Sequence, residues 1–325
     1  MRGGSMIGVR PLASTPRLVA REYARGLTPQ LRRSGNDVGY QSVFRDGLFV
    51  GQTVIVTGGG SGIGRCTAHE LASLGAAVAL VGRKPERLAA VAAEIAEDGG
   101  KASTHACDIR EEEKVAATVA AILKAHGRID ALVNNAGGQF QARLADISQK
   151  GWETVVRTNL TGGFLMAREC YTQWMREHAG SIVNIVADMW LGMPGMGHSG
   201  AARAGMVNFT MTAAAEWGAS GVRVNAVAPG WIASSGFDTY PDSVKPMLRS
   251  LRRHTPLQRL GTEAEVSAAI VFLLSPAAAF ISGETLRVDG AAPNAKRHVE
   301  LAPHDRSKPW NGFHRSVPPK TLREE

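Results

Sequence analysis

A glycine-rich turn near the start of the chain limits its possible folds more than any other stretch. Residues 57–64 read Thr-Gly-Gly-Gly-Ser-Gly-Ile-Gly, after the apolar residues 53–56 and before the small and apolar residues 65–74. This order predicts a buried strand, a tight turn and a helix. Glycines let the backbone reverse and approach a diphosphate, which a helix N-terminus binds through its free N–H groups. An ordinary turn is the alternative, but the flanking elements favour nucleotide binding.

Strand and helix patterns alternate along the chain to about residue 292. Repeated units of this kind predict one Rossmann-like α/β domain over residues 46–292, a doubly wound parallel sheet with helices on both faces. The further predicted strands are 78–81, 102–107, 131–133, 181–186, 222–227 and 285–288, and the helices are 85–97, 111–126, 152–178, 199–217 and 263–274.

The distribution of charge and cysteine excludes several classes of function. The net charge is +8, but residues 1–45 hold +6 of it, so the fold is nearly neutral and no nucleic-acid partner is expected. No stretch reaches the roughly 18 apolar residues of a membrane span. The three cysteines are widely spaced without a CxxC pair, which is typical of reduced thiols rather than a disulfide or metal site.

Both ends of the chain extend beyond the predicted domain. Residues 1–45 are rich in arginine and predict a flexible arm, for which a transit peptide, a leader and a structural arm are alternatives. We expect a cytoplasmic protein, with organelle import through the arm still open. Residues 293–325 form an extension for which the subunit's own lid and a neighbour's are the alternative packing sites, and they lack a terminal Ser-Lys-Leu signal.

Five ordered motifs identify the family that the chain resembles. They are Thr57-Gly58 with Gly62-Ile63-Gly64, then Asp108, Asn134-Asn135-Ala136-Gly137, Asn159, and the run from Arg223 to Gly230. In this order and spacing, over roughly residues 48–292, the chain resembles the short-chain dehydrogenases/reductases.

The resemblance implies a dinucleotide site and a homotetramer. It assigns the glycine turn to the diphosphate and adjacent ribose, Asp108 to the adenine, the turn after the fourth strand to the adenosine side, and the residues after the sixth strand to the nicotinamide. Asn134 and Asn135 could equally bridge strands, and both roles are compatible. The cofactor residues expected on this basis are Thr57, Gly58, Ser61, Gly62, Ile63, Gly64, Asp108, Asn135, Ala136, Gly137, Arg203, Pro229, Gly230 and Ile232.

The end of the second predicted strand indicates which cofactor is used. A carboxylate there would hold the ribose hydroxyls of NAD, but the chain has Gly82-Arg83-Lys84. Two cations suit the additional phosphate of NADP, so Arg83 and Lys84 predict NADP(H). A solvated start of the next helix is the alternative interpretation.

The catalytic region departs from the family pattern. Most members have Tyr-x-x-x-Lys at the start of the long helix, but Ser199 and Arg203 occupy those positions, and the usual serine after the fifth strand is missing. Only Asn159 of the four usual catalytic residues is in place. Because a serine hydroxyl is far less acidic than a phenol, alcohol oxidation is disfavoured. Reducing a double bond conjugated to a thioester instead requires donors to an enolate oxygen.

The stretches around these unusual residues resemble one branch of the family. Residues 180–186, residues 198–205 and the run 134–140 resemble the peroxisomal trans-2-enoyl-CoA reductases and their bacterial relatives. This implies NADPH-dependent reduction of a 2-enoyl-CoA, a reaction of fatty acid metabolism. The alternatives are an alcohol, aldehyde or 3-oxoacyl dehydrogenase of the same family, and an NADP(H)-binding protein without turnover. The sequence does not set the acyl chain length.

The residues expected in catalysis are Asn159, Ser199, Arg203 and His198. Arg203 is expected at the nicotinamide ribose, supported by Asn159, and Ser199 is expected to donate to the substrate oxygen. His198 is either a proton source or a helix-capping group. Residues 231–260 are predicted to form the substrate lid, with apolar side chains for the acyl chain and four cations for the phosphates of CoA. The apolar set is Trp231, Phe237, Tyr240, Met247 and Leu248, and the cations are Lys245, Arg249, Arg252 and Arg253.

Overall fold

The sheet is parallel and seven-stranded, in a computed structural model that describes residues 39–240, 242–295, 301 and 303–322. Its strand order is β3-β2-β1-β4-β5-β6-β7. Strands β2 and β3 extend the sheet on one side of β1, and β4 to β7 extend it on the other side. This order confirms the predicted doubly wound fold. The strands are β1 (Thr53–Thr57), β2 (Ala77–Gly82), β3 (Lys101–Ala106), β4 (Ala131–Asn134), β5 (Gly180–Ile185), β6 (Val222–Pro229) and β7 (Thr285–Val288).

Helices connect the strands and cover both faces of the sheet. The principal helices are α1 (Gly62–Ser73), α2 (Pro85–Glu97), α3 (Glu112–His126), α4 (Gln149–Val156), α5 (Gly162–Cys170), α6 (Arg176–His178), α7 (Gly197–Trp217), α8 (Lys245–Ser250) and α9 (Glu263–Leu274). Within the described ranges, no helix has the length and apolar character needed to cross a membrane.

Alternate residues of β1 pack into separate cores on the two faces. Val54 and Val56 lie in a buried cluster with side chains of α1, α2 and α9, whereas Ile55 lies with α3, α5 and α7. All three are fully buried, as expected for a central parallel strand with helices on both sides. The thiols of Cys66, Cys107 and Cys170 are buried.

The region predicted as one helix over residues 152–178 is a helical run with two widened turns. π-Helical turns at Arg157–Thr161 and Tyr171–Met175 separate α4, α5 and α6. Such wide turns expose main-chain groups and change the direction of side chains, and they occur frequently at functional sites. The first of them contains Asn159, and its position at the site is described below.

The segment before β1 packs more closely than the sequence suggested. Tyr40 and Ser42 donate hydrogen bonds to the buried carboxylate of Glu70 on α1, at 3.1 and 2.8 Å. Gln41 N–H donates to the oxygen of Gly312 in the C-terminal extension. Residues 40–42, which we had placed in the flexible arm, are therefore attached to the domain. The rest of the predicted arm, up to residue 38, lies outside the described residues.

The C-terminal extension runs along α1 and reaches the lid. Phe313 is buried against the rings of Tyr40 and His69, with the Arg65 guanidinium 5.0 Å from its ring centre. Near the end of the chain, the Asp238 carboxylate accepts hydrogen bonds from the N–H groups of Lys320 and Thr321. In this structure the extension packs against the lid of its own subunit, one of the two alternatives that we considered.

Candidate active site

The glycine turn is interlocked with the turn after β4. Gly58 and Gly62 have positive φ angles of 67° and 57°, which favour glycine. A Cβ on Gly64 would lie 2.5 Å from the oxygen of Gly58 and would also collide with the Asn135 amide. The hydroxyl of Thr57 accepts hydrogen bonds from the N–H groups of Asn135 and Ala136, both at 2.9 Å. The backbone at the β1–β4 junction is therefore fixed and open to a ligand.

This junction fits the diphosphate of a dinucleotide. The first N–H groups of α1 have no partners within the helix and carry its positive dipole end. Ser61 precedes the helix, is exposed, and makes no capping hydrogen bond with its side chain. Ile63 is partly buried against the core. A reversal of strand order at the carboxyl edge of the sheet is where ligands bind in open α/β folds.

Glu263 at the start of α9 adds an acidic group beside this junction. Its Oε1 atom lies 3.8 Å from the position of a Cβ on Gly62. Burial raises the pKa of its carboxyl to about 7, and the Arg65 charge offsets that rise only in part. The ionisation of Glu263 thus falls in the neutral range next to the expected diphosphate.

Asn134 at the end of β4 and Asn135 directly after it do bridge neighbouring strands. Asn134 Nδ2 donates to the oxygens of Asn184 on β5 and of Gly163, at 3.0 and 2.9 Å. Asn135 Nδ2 donates to the oxygen of Thr57 on β1, at 3.0 Å. Both asparagines therefore hold neighbouring strands together, and this bridging is compatible with the cofactor contact expected of Asn135.

Asn159 and Arg203 converge on the turn formed by Gly137 and Gly138. Asn159 accepts from the N–H of Gly138 and donates to its oxygen, both at 2.9 Å. Arg203 Nη1 donates to the oxygen of Ile185 at 2.6 Å. A Cβ on Gly137 would lie 2.5 Å from Arg203 Nη2 and 3.1 Å from Asn159 Oδ1, so glycine is required there.

The Arg203 side chain is a cation with unused hydrogen-bonding capacity. Its Nε atom is buried and has no partner among the described residues. Burial lowers the pKa of its guanidinium to about 10, so it remains charged at neutral pH. A buried donor without a partner is costly, and a ligand hydroxyl would remove that cost. The arrangement fits the expected contact with the nicotinamide ribose.

Ser199 and His198 do not face an open cleft. Both are fully buried. The Ser199 hydroxyl donates to Oε1 of Gln139 at 2.8 Å, and its N–H donates to Nδ1 of His198 at 2.9 Å. The hydroxyl proton of Ser199 is therefore committed to Gln139, which differs from the expected donation to substrate. The His198 ring meets Phe140 edge-on, and its Nε2 atom has no partner in the described part of the chain.

Gln139 and Tyr240 extend this network to the lid, and the sequence did not single them out as catalytic. Gln139 Nε2 donates to the Tyr240 hydroxyl at 3.1 Å. Gln139 follows the Gly137-Gly138 turn directly, so its place in the loop after β4 was a usable signal. The hydrogen bond to Tyr240 could not be predicted from the sequence, because it joins residues about one hundred positions apart.

The cations that follow β2 lie at the same edge of the sheet. Arg83 and Lys84 are both exposed at the start of α2. Asp108, expected at the adenine, forms a bidentate ion pair with Arg110, whose Nη2 lies 2.5 Å from a carboxylate oxygen. Arg110 and, to a lesser extent, Arg83 lower the pKa of Asp108 to about 2. Arg110 is thus a third cation at this edge, one that we had not predicted.

The nicotinamide end of the expected site is formed by the residues that follow β6. Pro229 ends the strand, and Gly230 N–H donates to the oxygen of Val288 on β7. A Cβ on Gly230 would lie 2.7 Å from the Cα of Asp289. Ile232 is buried and pairs with Gly261, which fixes the base of the lid.

The apolar side chains of the lid mostly pack against one another. Phe237, Leu248 and Leu251 form a small buried core, onto which Trp231, Tyr240 and Leu322 of the C-terminal extension pack. The lid therefore offers less free apolar surface for an acyl chain than we expected. Met247 and Leu257 are its exposed large apolar side chains, and further ones follow β4 and β5, at Phe140, Leu144, Trp190 and Leu191.

The lid arginines face the C-terminal extension across a cavity of about 640 Å³. Arg252 and Arg253 line one side of it, and His304 and Lys308 line the other. His304 Nε2 bonds to the oxygen of Pro256 at 2.9 Å, which holds the two sides together. Because the extension lies outside the family pattern, its contribution to this cavity could not be predicted.

Comparison with known proteins agrees with this architecture. A family model described as enoyl-(acyl carrier protein) reductase matches residues 58–291. A probable 2,4-dienoyl-CoA reductase of Bacillus subtilis is 37% identical, covering 74% of this chain and 95% of that protein. A 3-oxoacyl-[acyl-carrier-protein] reductase of Synechocystis is 38% identical, covering 74% and 96%.

A solved structure is more similar in sequence. The citronellol catabolism dehydrogenase AtuB of Pseudomonas aeruginosa is 66% identical, with a TM-score of 0.71, and the match covers 78% of this chain and 99% of that one. The ordered motifs, the parallel sheet and these relatives lead to one conclusion. The chain belongs to the short-chain dehydrogenase/reductase family of oxidoreductases.

Proposed function

We propose that the protein uses NADPH to reduce the conjugated carbon–carbon double bond of a 2-enoyl-CoA or 2,4-dienoyl-CoA thioester. The observation that carries this proposal is the state of Ser199. Its hydroxyl stands where the family has a phenol, and it is buried and already donated to Gln139. Oxidation of an alcohol needs a proton acceptor at the substrate oxygen, and Ser199 is unsuited to that role.

Reduction of a conjugated double bond requires different groups. Bound NADPH would supply a hydride to the β-carbon. The protein has to hold the thioester oxygen with donors, because negative charge develops there. Asn159 fixes the Gly137-Gly138 turn beside that region, and Arg203 lies against Gly137 with an unpartnered donor atom. The enoyl-reductase name of the family model supports this reaction, and the dienoyl-CoA reductase name of the Bacillus relative supports reduction of a related conjugated thioester.

The proposed cofactor is NADP(H) because of the cations near the end of β2. Arg83 and Lys84 are exposed, and Arg110 lies beside them on Asp108. Phosphate groups are bound well by such cations, whereas the ribose of NAD prefers a carboxylate. The CoA part of the substrate is assigned to the cavity lined by Arg252, Arg253 and Lys308. The exposed apolar side chains Phe140 and Trp190 are the proposed surface for the acyl chain.

The assay is NADPH oxidation with 2-butenoyl-, 2-hexenoyl- and 2,4-hexadienoyl-CoA, with the product mass measured. We expect a product two hydrogen masses heavier than the substrate. The CoA assignment is tested with Arg253→Ser and with the pantetheine thioester, which lacks the nucleotide phosphates. Arg253→Ser should raise KM for the CoA thioester and leave KM for the pantetheine thioester unchanged. The control Arg306→Ser, at an exposed arginine, should change neither KM. Binding of NADPH without turnover of any thioester would refute the proposed reaction.

A second candidate is a dehydrogenase step in the breakdown of an alcohol such as citronellol. The observation that favours it is the 66% identity to AtuB, over almost all of that protein. Reduction of NADP⁺ by citronellol in the same preparations, without oxidation of NADPH by the thioesters, would establish it in place of the first proposal. Oligomeric state is a separate question, and sedimentation tests the expected homotetramer.

A further inference from the structure

The lid brings a phenol to within one side-chain amide of Ser199, the residue that stands where the family has its tyrosine. Tyr240 is partly buried, and its ring packs on the lid core of Phe237, Leu248 and Leu251. Its hydroxyl reaches out of that core to Gln139 Nε2. The lid is held in this position by Asp238, which accepts hydrogen bonds from Thr321 of the C-terminal extension.

Gln139 places this phenol at the catalytic region. Gln139 follows Gly138, which Asn159 holds by both main-chain polar groups. Its Oε1 atom accepts from Ser199, one helical turn before Arg203 on α7. Tyr240 is thus separated from Ser199 by a single amide group, although it lies on a different element.

These hydrogen bonds leave the hydroxyl hydrogen of Tyr240 unused. Both functional atoms of the Gln139 amide are engaged, since Oε1 accepts from Ser199 and Nε2 donates to Tyr240. The amide nitrogen is the donor in the second bond, so the phenol acts as an acceptor there. The hydroxyl hydrogen of Tyr240 therefore remains available to a substrate, and its direction is set by the bond to Gln139.

We infer that Tyr240 is the catalytic hydrogen-bond donor to the substrate oxygen, and that Gln139 and Ser199 are its positioning residues. The inference rests on the proposed function for the identity of that oxygen, which is the carbonyl of a thioester. The family role is thereby filled by a residue of the lid, so the donor reaches the substrate only when the lid is closed.

The chemistry balances without transfer of the phenolic proton. Bound NADPH would supply the hydride for the new bond at the β-carbon and would leave as NADP⁺, and the π electron pair of the substrate would move towards the carbonyl oxygen. Tyr240 donates a hydrogen bond to that oxygen while the enolate exists. The carbon–oxygen double bond then re-forms as the α-carbon takes a proton from water. A phenol that only donates a hydrogen bond needs no base beside it, consistent with the absence of a lysine.

The principal test is Tyr240→Phe, which removes the hydroxyl and keeps the ring in the lid core. Loss of one donor to a developing oxyanion typically lowers kcat by about 100-fold or more, and we expect a loss of that size with KM for NADPH unchanged. Tyr171→Phe is the matched control, because its hydroxyl bonds to Ser220 and lies in neither the lid nor the Gln139 network. It should keep full activity.

Gln139→Met separates positioning from folding. Methionine has a similar length but neither hydrogen bond, so kcat should fall while the thermal midpoint stays within a few degrees of wild type. If the bond between Gln139 and Tyr240 only held the lid closed, the loss of that bond would have a different effect. It would raise KM and make the lid more sensitive to trypsin, with kcat preserved.

A second measurement is independent of turnover. Acetoacetyl-CoA ionises to an enolate with its own ultraviolet absorption, and donors to its oxygen favour that form. In the presence of NADP⁺, wild type and Tyr171→Phe should show the enolate band, and Tyr240→Phe should lose most of it. An equal band in Tyr240→Phe, or unchanged kcat, would overturn the inference.

The two proposals fail in different ways. If wild type reduces thioesters and Tyr240→Phe is equally active, the proposed function stands and the role of Tyr240 is refuted. If wild type oxidises citronellol instead, the thioester reaction is refuted. Loss of that activity in Tyr240→Phe alone, with Tyr171→Phe fully active, would keep Tyr240 at the substrate oxygen but would overturn its role as a donor, because alcohol oxidation needs a proton acceptor there.

Discussion

Arg203 donates a 2.6 Å hydrogen bond to the main-chain oxygen of Ile185 and leaves its buried Nε atom without a partner among the described residues. Most of this family has a lysine there. The guanidinium can hold the end of β5 with one nitrogen and still offer further N–H groups to a ligand. The arrangement explains how the chain could keep a ribose contact after losing the lysine.

Arg203→Met should weaken NADPH binding by about 10- to 150-fold, because a charged hydrogen bond contributes about 1.5–3 kcal/mol. Arg203→Lys should weaken it less. Calorimetric titration of NADPH measures both. Arg223→Met is the control, since Arg223 also binds main-chain oxygens but on the opposite side of β6, at Leu273 and Leu274. If Arg223→Met weakened NADPH binding as much as Arg203→Met, the ribose contact would lose its support.

Asn159→Ala should both destabilise the protein and lower its activity. The substitution leaves the N–H and the oxygen of Gly138 without their side-chain partner, at a cost of about 1–3 kcal/mol in unfolding free energy. Chemical denaturation measures this loss, and steady-state kinetics should show a fall in kcat. The exposed Asn208→Ala on the same face of the sheet should change neither. An unaltered kcat in Asn159→Ala would show that the Gly138 turn has no catalytic importance.

Replacing both Arg83 and Lys84 with alanine should reverse the cofactor preference. We expect KM for NADPH to rise by about 10–100-fold, because two charged contacts to the additional phosphate are lost, and KM for NADH to stay the same. Lys101→Ala is the control. This exposed lysine begins β3, so it lies at the amino ends of the strands, whereas Arg83 and Lys84 follow the carboxyl end of β2. An equal rise in both KM values would mean that these cations do not select the phosphate.

Glu263 should make cofactor binding and stability depend on pH. Its carboxyl has a pKa of about 7 in the folded chain and about 4.3 when unfolded, so the folded state holds the proton more tightly between these values. Its contribution to stability is therefore complete below about pH 4 and declines as the pH rises to 7. Above pH 7 the ionised carboxylate also lies near the expected diphosphate and repels it.

Glu263→Gln should remove both effects. Titrations of NADPH from pH 6 to 8 should show affinity falling with pH in wild type and nearly constant in the variant. Thermal midpoints over pH 4–8 should show the same difference. The exposed Glu113→Gln, in the first turn of α3, should behave as wild type. A wild-type affinity that does not fall over this range would refute the placement of Glu263 beside the diphosphate.

The fold was largely predictable because its signals are local. Most strands are short apolar runs, with the largely polar β3 as the exception, and the glycine turn at Gly58 and Gly64 follows from steric contact within one junction. The widened turn around Asn159 was not predictable, since a helical pattern does not show where an extra residue enters a turn. The attachment of Tyr40 to Glu70 was missed because a polar, arginine-rich composition gives no indication of one buried carboxylate partner.

For the catalytic region, only the lack of the usual tyrosine and lysine could be predicted from the sequence. The sequence shows that Ser199 and Arg203 stand where tyrosine and lysine are usual, but it does not show what replaces them. The link from Ser199 through Gln139 to Tyr240 depends on how the lid closes, which is a tertiary property. The cavity between Arg253 and Lys308 likewise joins the lid to an extension outside the family pattern.

The central claim is that a hydride is delivered to the β-carbon of a conjugated thioester. Transfer from NADPH deuterated at the nicotinamide C4 to 2-hexenoyl-CoA, followed by NMR of the product, tests it most directly. We predict saturated hexanoyl-CoA with deuterium at C3 and none at C2. Deuterium on an alcohol carbon, or NADPH binding with no transfer to any thioester, would contradict the account.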